Sequence, residues 1–435
     1  MSNLIYSINQ KPATVREWIM YTIQFTFSVL TATVLIATIC GTNIAAGMVA
    51  AGISTLVFLC ITKFRAPIVI SNSGATVSAV LGAIALSNAV ETNLLGVVLG
   101  GLTIMIIYSI AAFLIKKFGT AWLTKLIPPI ISGSTILVIG CTLAGFIPTY
   151  AQVGGSYSLV GGFVALFTML VIVLCMHYGK GMVKTLPFLI GLLAGYGLSL
   201  ILTLIGVAPL VNIAALDFNR IIAVPDFAFL HLNFATFDWT TLPQIVLMFG
   251  LVSLAAMTEH IGDMLTASAA SERDLLNDPG LHKTLLGDGV GSFIGTLIGA
   301  QPNTTYSEYT STITVSRVAS VYVTFTTACS LILLGIFGPF NQFITSLPNC
   351  VFAGVSMVAY GMIAMAGLRT IIADCRQKGT DKFFTNKNVV IFATMLACGV
   401  SGFSITYGSF NLSGIALAMV VGIILNLILK DSKRA

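Results

Sequence analysis

Fourteen long apolar runs, nearly free of charge inside, constrain this chain more than any other feature of its sequence. They lie near 17–40, 43–62, 66–88, 93–115, 126–147, 157–176 and 185–206, and again near 242–266, 284–300, 303–317, 319–340, 347–368, 388–404 and 411–429. A run of about 20 apolar residues crosses a bilayer as a helix, because lipid offers the backbone no partner and a helix satisfies its own N–H and C=O groups. Only 8% of the 435 residues are charged, against roughly 25% in soluble domains. That deficit excludes a cytosolic enzyme, a nucleic-acid-binding protein, a disordered chain and a secreted disulfide scaffold. The fold class is an all-α polytopic membrane protein in contact with lipid. The eight cysteines stand singly, with no CxxC pair, so they read as small packing residues rather than redox or metal groups. Met1 to Trp18 is polar and lacks an apolar core with a small-residue cleavage site, so no signal peptide is expected.

The net charge of +6 is topological. With the N-terminus inside, Lys11, Arg16, Lys63, Arg65, Lys116, Lys117, Lys125, Lys180 and Lys184 fall on the cytoplasmic side. Arg273, Lys283, Arg317, Arg369, Arg376, Lys378, Lys382, Lys387, Lys430, Lys433 and Arg434 join them. Arg220 alone falls outside, twenty against one, while Glu91, Asp217, Asp226 and Asp238 mark the outer connections. A wrong helix count would scramble this alternation, so the positive-inside rule supports fourteen crossings with both ends cytoplasmic.

Seven crossings per half is odd, so two related halves must face opposite ways, the plan of many secondary transporters. The first repeat covers 1–206, an outer connection with Pro209 and Pro225 covers 207–241, and the second repeat covers 242–435. In each half the third run is interrupted. The first reads Ala66-Pro67-Ile68-Val69-Ile70-Ser71-Asn72-Ser73-Gly74-Ala75-Thr76-Val77, and the second Ala300-Gln301-Pro302-Asn303-Thr304-Thr305-Tyr306-Ser307-Glu308. Proline and the hydroxyl and amide residues favour helix starts and local backbone bonding. Two half-helices starting near the midplane would aim free N–H groups into one cavity. Read singly, each interruption is an ordinary kink; their matched positions point to a binding site.

Four carboxylates lie within or at the edge of apolar runs: Glu259, Asp263, Asp288 and Glu308. A charge at the bilayer centre costs roughly 2.5–3.5 kcal/mol on insertion scales, so such residues are rare and usually functional. Glu259 and Asp263 are four apart and share a helix face, an arrangement suited to taking up and releasing a proton; the bland reading is a pair bonding neighbouring hydroxyls. Asp288 lies between two glycines and is either a coupling residue or interfacial. His260 points off the Glu259/Asp263 face and reads as packed, and His177, His231 and His282 belong to loops. No zinc-like cluster, P-loop or nucleophile elbow occurs, so neither hydrolysis nor ATP-driven transport has visible machinery. Carboxylates accept and helix N-termini donate hydrogen bonds, which suits a planar neutral solute with alternating N–H and C=O groups, such as uracil or an oxidised purine. An anion would need a basic residue at the midplane, and the sequence places none there.

At these residues the chain resembles the nucleobase/ascorbate transporter family (nucleobase–cation symporter-2), within it the bacterial uracil and xanthine permeases. Thr258-Glu259-His260-Ile261-Gly262, Asn277-Asp278-Pro279-Gly280-Leu281-His282 and Pro302-Asn303-Thr304-Thr305-Tyr306-Ser307-Glu308 carry the likeness. The resemblance implies fourteen segments in a 7+7 inverted repeat, with short antiparallel strands in segments three and ten. It implies a core domain (segments 1–4 and 8–11), a gate domain (5–7 and 12–14), and a homodimer in the inner membrane. It further implies symport of a nucleobase with a proton or sodium ion, without a cofactor. Glu259 and Glu308 match the family's substrate-binding glutamates, Ser307 and Gly74 positions beside the base, and Tyr360 a gate-side residue. Uptake of uracil coupled to protons through Glu259, Asp263 or Asp288 is the expected function. The chain departs from the pattern where Gly74 replaces an aromatic and Asp263 a histidine, and where Tyr309-Thr310-Ser311 replaces Asn-x-Gly; these departures leave xanthine or another purine as the alternative. An anion carrier of similar fold and a membrane-embedded enzyme are the competing classes.

Overall fold

The computed structural model describes residues 4–86, 94–150, 152–153, 156–180, 183, 186–211, 220–379, 385–407 and 410–429. Glu91, Lys184, Asp217, Lys382, Lys430, Lys433 and Arg434, used above for orientation, lie outside the described residues. A helix stands in every one of the fourteen apolar runs. In the first half these are α1 (Val15–Cys40), α2 (Ile44–Ile61), α3 (Val77–Leu86), α4 (Leu95–Phe118), α5 (Pro129–Ala144), α6 (Leu159–Tyr178) and α7 (Pro187–Leu204). In the second they are α8 (Leu242–Ala270), α9 (Leu281–Ile298), α10 (Ser307–Ser316), α11 (Val321–Ile336), α12 (Asn349–Lys378), α13 (Asn386–Val400) and α14 (Gly414–Ile428). Among the described residues eight helices (α1, α2, α4, α5 with its continuation to Tyr150, α6 to α8 and α12) are long and apolar enough to cross a membrane, and α3, α11, α13 and α14 are shorter apolar helices.

Local chemistry explains where helices begin. Thr14 and Glu17 form a reciprocal capping box at the start of α1, and the Asn43 side chain caps α2, each satisfying N–H groups that the first turn leaves open. α5, α7 and α8 start with proline in the first turn, where the missing N–H costs nothing.

Both interrupted runs contain a strand. β1 (Ile70–Asn72) pairs antiparallel with the strand Asn303–Thr305, in register Ile70↔Thr305, Ser71↔Thr304 and Asn72↔Asn303. The ladder extends at each end, from Ser73 N–H to Pro302 O at 2.9 Å and from Tyr306 N–H to Val69 O at 3.2 Å. Two hairpins, Gln152–Val153 with Ser156–Tyr157 and Ser404–Tyr407 with Phe410–Ser413, were not legible in the apolar pattern.

The helices pack in two groups. In one, α2 packs on α9 and α11, α4 on α8 and α9, and α1 on α11; in the other, α5 packs on α12 and α13, α6 on α7 and α12, and α13 on α14. Contacts between groups run from α1 to α7 and α12, and from α8 to α14 and α5. Shifting every helix number by seven carries this neighbour list into itself: α2–α11 becomes α9–α4, and α1–α7 becomes α8–α14. Small residues permit the close approaches. A Cβ added at Gly140 of α5 would stand 2.5 Å from Ala364 N of α12, and one at Gly52 of α2 the same distance from Ala328 O of α11.

The Asn277-to-His282 motif builds a loop clamp. Arg65 Nη1 donates to Asp278 Oδ1 at 2.7 Å and Arg273 Nη2 donates to Asp278 Oδ2, tying the α2–β1 connection to the α8–α9 connection. The Asp274 carboxylate accepts from the N–H groups of Leu276 and Asn277. The two guanidinium groups hold the Asp278 carboxyl below its ordinary value of 3.8. A depressed folded-state value contributes stability that is complete above the unfolded value and is lost as pH falls through the folded one. Asp278→Asn therefore lowers the melting temperature by a few degrees at neutral pH, and the gap to wild type closes on acidification below 3.8; a gap independent of pH would contradict the clamp.

Candidate functional site

Side chains on the flanking helices fix the strand pair from both sides in the same way. Thr55 Oγ1 of α2 donates to Ile70 O at 3.1 Å and accepts from Ile70 N–H at 3.2 Å. Ser292 Oγ of α9 does the same for Asn303, at 2.9 and 3.1 Å. Asn72 Nδ2 donates to Thr33 O of α1 at 3.0 Å, and Tyr306 Oη donates to Asn72 O at 3.0 Å. These bonds satisfy polar backbone that lipid could not.

Helical structure resumes immediately after each strand. A 3₁₀ turn, Gly74–Thr76, leads into α3, and α10 begins at Ser307; neither Ser73 nor Tyr306 caps these starts with its side chain. Both starts border one cavity of about 440 Å³, within the usual range for a small-molecule site, roughly 300–1,000 Å³. Gly74, Glu259, Ser307 and Glu308 line it, so four of the residues named from sequence meet there.

Asp263, one turn along α8 from Glu259, sits behind the wall. It accepts hydrogen bonds from Thr305 Oγ1 at 2.8 Å and from Ser307 Oγ. The carboxylate thus fixes the junction between the second strand and α10, the segment that presents Glu308. Glu259 is different: its Oε2 is buried without a partner.

The other two named residues lie elsewhere. Tyr360 of α12 is buried and is not among the residues bordering the cavity. Asp288 is fully buried, and its Oδ2 stands 2.9 Å from His260 Nδ1. His260 is packed, with the Asp288 carboxyl beside it.

Several cavity residues escaped the sequence reading. Phe27 of α1 and Phe188 of α7 supply aromatic surface, and Arg369 of α12 borders the cavity with Met362, Ile363 and Ala366. Arg369 lies just past the apolar run, where the basic residues read as a cytoplasmic connection; the spacing 362, 363, 366, 369 is the helical signal that places it on the same face. Along α10 the wall continues through Ser311, Thr312 and Val315, so the cavity extends from the two glutamates toward Arg369 within α12 and the end of α10, where Arg317 stands. Ile39, Phe146 and Ile147 pack against a separate cluster of Tyr150, Ala165 and Ala353, none of which borders the cavity. Among the described residues no group of three or more His, Cys, Asp or Glu is placed to hold a metal.

Leaving a buried acceptor without its donors costs about 1–3 kcal/mol, whereas removing both partners is far milder. The double variant Thr305→Val/Ser307→Ala accordingly melts below wild type, and adding Asp263→Leu recovers part of the loss. A double variant that melts as wild type does would show that the two hydroxyls do not hold this carboxylate.

Comparison with known proteins adds to this geometry. Residues 16–408 match the profile of a family described as Permease family. The chain is 34% identical to the uracil permease of Bacillus caldolyticus, over 100% of this chain and 97% of that protein. It is 31% identical to the uracil permease of Escherichia coli (strain K12), over 99% and 95%. Among solved structures, the transmembrane domain of the cyanobacterium bicarbonate transporter BicA superposes with a TM-score of 0.63 at 15% identity, covering 97% of this chain and 99% of that one. The murine Solute Carrier 26 family member A9 anion transporter gives 0.63 at 10% identity, covering 96% and 69%. At such identities the structural likeness concerns the fold alone.

Proposed function

The chain belongs to the nucleobase/ascorbate transporter family, and on that premise we propose that it takes up a nucleobase, uracil first, by proton-coupled symport. Its relatives are permeases, and the chain is a membrane transporter, not an enzyme. One observation carries the substrate class: two carboxylates from different helices, Glu259 and Glu308, meet at one cavity beside an uncapped helix start and aromatic walls. Glu259 and Glu308 accept from the ring N–H groups, and the N–H groups at Gly74 and Ser307 donate to its carbonyls. The names of the relatives favour uracil. So does the wall beside Gly74, where an added Cβ would stand 3.1 Å from Leu143 Cδ1 and 3.7 Å from Ile36 Cδ1. Those side chains fill much of the space that the absent aromatic side chain would leave for a second ring, which weighs against xanthine.

The reading extends to the whole molecule. Fourteen crossings form two inverted repeats of seven, a plan supported by the neighbour list that maps onto itself and by the two-fold character of the strand pair. Helices α1–α4 and α8–α11 are the core, α5–α7 and α12–α14 the gate, and the core rocks against the gate to alternate access. The cavity extends toward Arg369 and Arg317, which corresponds to a state facing the cytoplasm, with both termini on that side of the inner membrane. Two copies associate as a homodimer through exposed apolar faces in the bilayer, Tyr360 is a gate-side residue, and Asp263 holds the site while Glu259 exchanges the proton with it.

Uptake of labelled uracil and xanthine into cells tests this. A hydrogen bond to a charged group is worth about 1.5–3 kcal/mol, so Glu259→Gln and Glu308→Gln each reduce uracil uptake about tenfold or more. Uptake of both bases unaffected by either change would contradict the assignment. Arg369 at the cavity is the observation that favours a second reading, an anionic solute. Bicarbonate flux in liposomes that is lost in Arg369→Gln and indifferent to Glu259→Gln would establish that reading instead.

A further inference from the structure

Residues 5–10, ahead of α1, run alongside the turn that joins α10 to α11. Ile5 N–H donates to Arg317 O at 2.8 Å, Ala319 N–H to Tyr6 O at 2.9 Å and Val321 N–H to Ile8 O at 3.0 Å. Tyr6 and Val318 form a parallel β-bridge, and Ser320 Oγ donates to Gln10 O. Ile8 is buried in the core. The segment is fastened to α1 in turn, since Tyr6 Oη donates to Glu17 Oε2 at 2.8 Å and accepts from Ala13 N–H at 2.9 Å. Lys11 Nζ lies 4.9 Å from the centre of the Tyr322 ring on α11.

α10 carries Glu308 and much of the cavity wall, yet its own sequence makes a weak helix. It has 10 residues, Ser-Glu-Tyr-Thr-Ser-Thr-Ile-Thr-Val-Ser, fewer than the ~12–15 below which isolated helices are marginal. β-branched and hydroxyl residues dominate it, and these are poor helix formers. Thr312, Thr314 and Ser316 each turn a hydroxyl back to the carbonyl of the preceding turn, which weakens and bends a helix. Its placement is therefore set by what grips its two ends. At the first, Ser307 Oγ donates to Asp263. At the other, the chain turns through Arg317 at φ 59°, a left-handed conformation that a non-glycine residue keeps only where its surroundings hold it. The Ile5 bond and the bridge at Val318 supply that hold. The same segment serves α11: Ser320 makes no side-chain cap there, and Ile8 O takes the Val321 N–H that the first turn leaves open.

We propose that residues 5–10 are a positioning strap for the substrate site, clamping the Arg317 turn so that α10 presents Glu308 to the base; the proposal rests on the nucleobase reading above. None of these residues borders the cavity, so the strap acts through α10. Held at Ser307 alone, the helix is free to tilt and to turn about that point, which swings the Glu308 side chain off the ring. Glu259 stands on α8, a helix of 29 residues that the strap does not touch, and keeps its position.

Replacing residues 4–10 in the full chain by a flexible Gly-Ser sequence of equal length tests the strap. Binding of labelled uracil to the purified protein is expected to weaken about three- to tenfold, short of the full loss of a hydrogen bond to a charged group. KM for uptake rises by the same factor while the maximal rate is kept. Amide hydrogen exchange of 307–316 speeds up, and that of α8 is unchanged. Because the strap acts through Glu308, its removal costs no further affinity in a Glu308→Gln background and its full effect in a Glu259→Gln background. Wild-type affinity in the strap variant, or unchanged exchange in α10, overturns the proposal. So does an equal loss of affinity in both backgrounds, the result that a general weakening of the fold would give. Should the replacement not fold, Ile5→Pro is judged on the same readouts, since it removes the donor to Arg317 O at a residue that is 54% exposed. Wild type that binds no base refutes the substrate reading, and the exchange of α10 then decides the strap.

Discussion

The antiparallel pairing of Ile70–Asn72 with Asn303–Thr305 is the interaction on which the rest of this structure depends. Extended backbone inside a membrane protein has no solvent to bond, and each unpaired group costs several kcal/mol. Here each interruption is the hydrogen-bonding partner of the other. Thr55 and Ser292 bond the strand residues from either side. Because the strands are antiparallel, the helices that follow them leave in opposite senses, and both helix starts remain beside the same cavity. A binding site follows from a backbone necessity.

The acids divide the work according to what surrounds them. Asp263 has two hydroxyl donors and holds the segment that carries Glu308. Glu259 has an oxygen without a partner and borders the cavity. Asp288 is paired with His260 out of reach of the solute. Carboxylates within the apolar segments are costly, and each environment answers that cost differently: by local hydrogen bonds, by access to a ligand, or by a neighbouring histidine.

Much of this was legible in the sequence because the bilayer leaves few options. Apolar runs of spanning length had to be helices, and matched interruptions around Pro67 and Pro302 had to be handled together. The four-residue spacing put Glu259 and Asp263 on one face. What escaped were relations between distant segments. Arg369 stands at the end of its run, and only the fold shows that its helix face turns to the cavity. Asp288 between glycines gave no sign of whether it met water or a partner, and His260 looked merely packed because periodicity reports which face a residue occupies and not what it meets there. The strand register needs both halves at once, and the two hairpins carry no apolar signature long enough to detect.

The central claim is that two glutamates on α8 and α10 grip the edge of a flat neutral ring in the cavity beside the strand pair. An experimental density map of the protein with 5-iodouracil bound tests it most directly, since the iodine marks the ring's position and orientation. The account predicts one iodine peak in this cavity, with the ring nitrogens turned to Glu259 and Glu308. An occupied iodine site away from both carboxylates, or a ring whose nitrogens face neither, would contradict it.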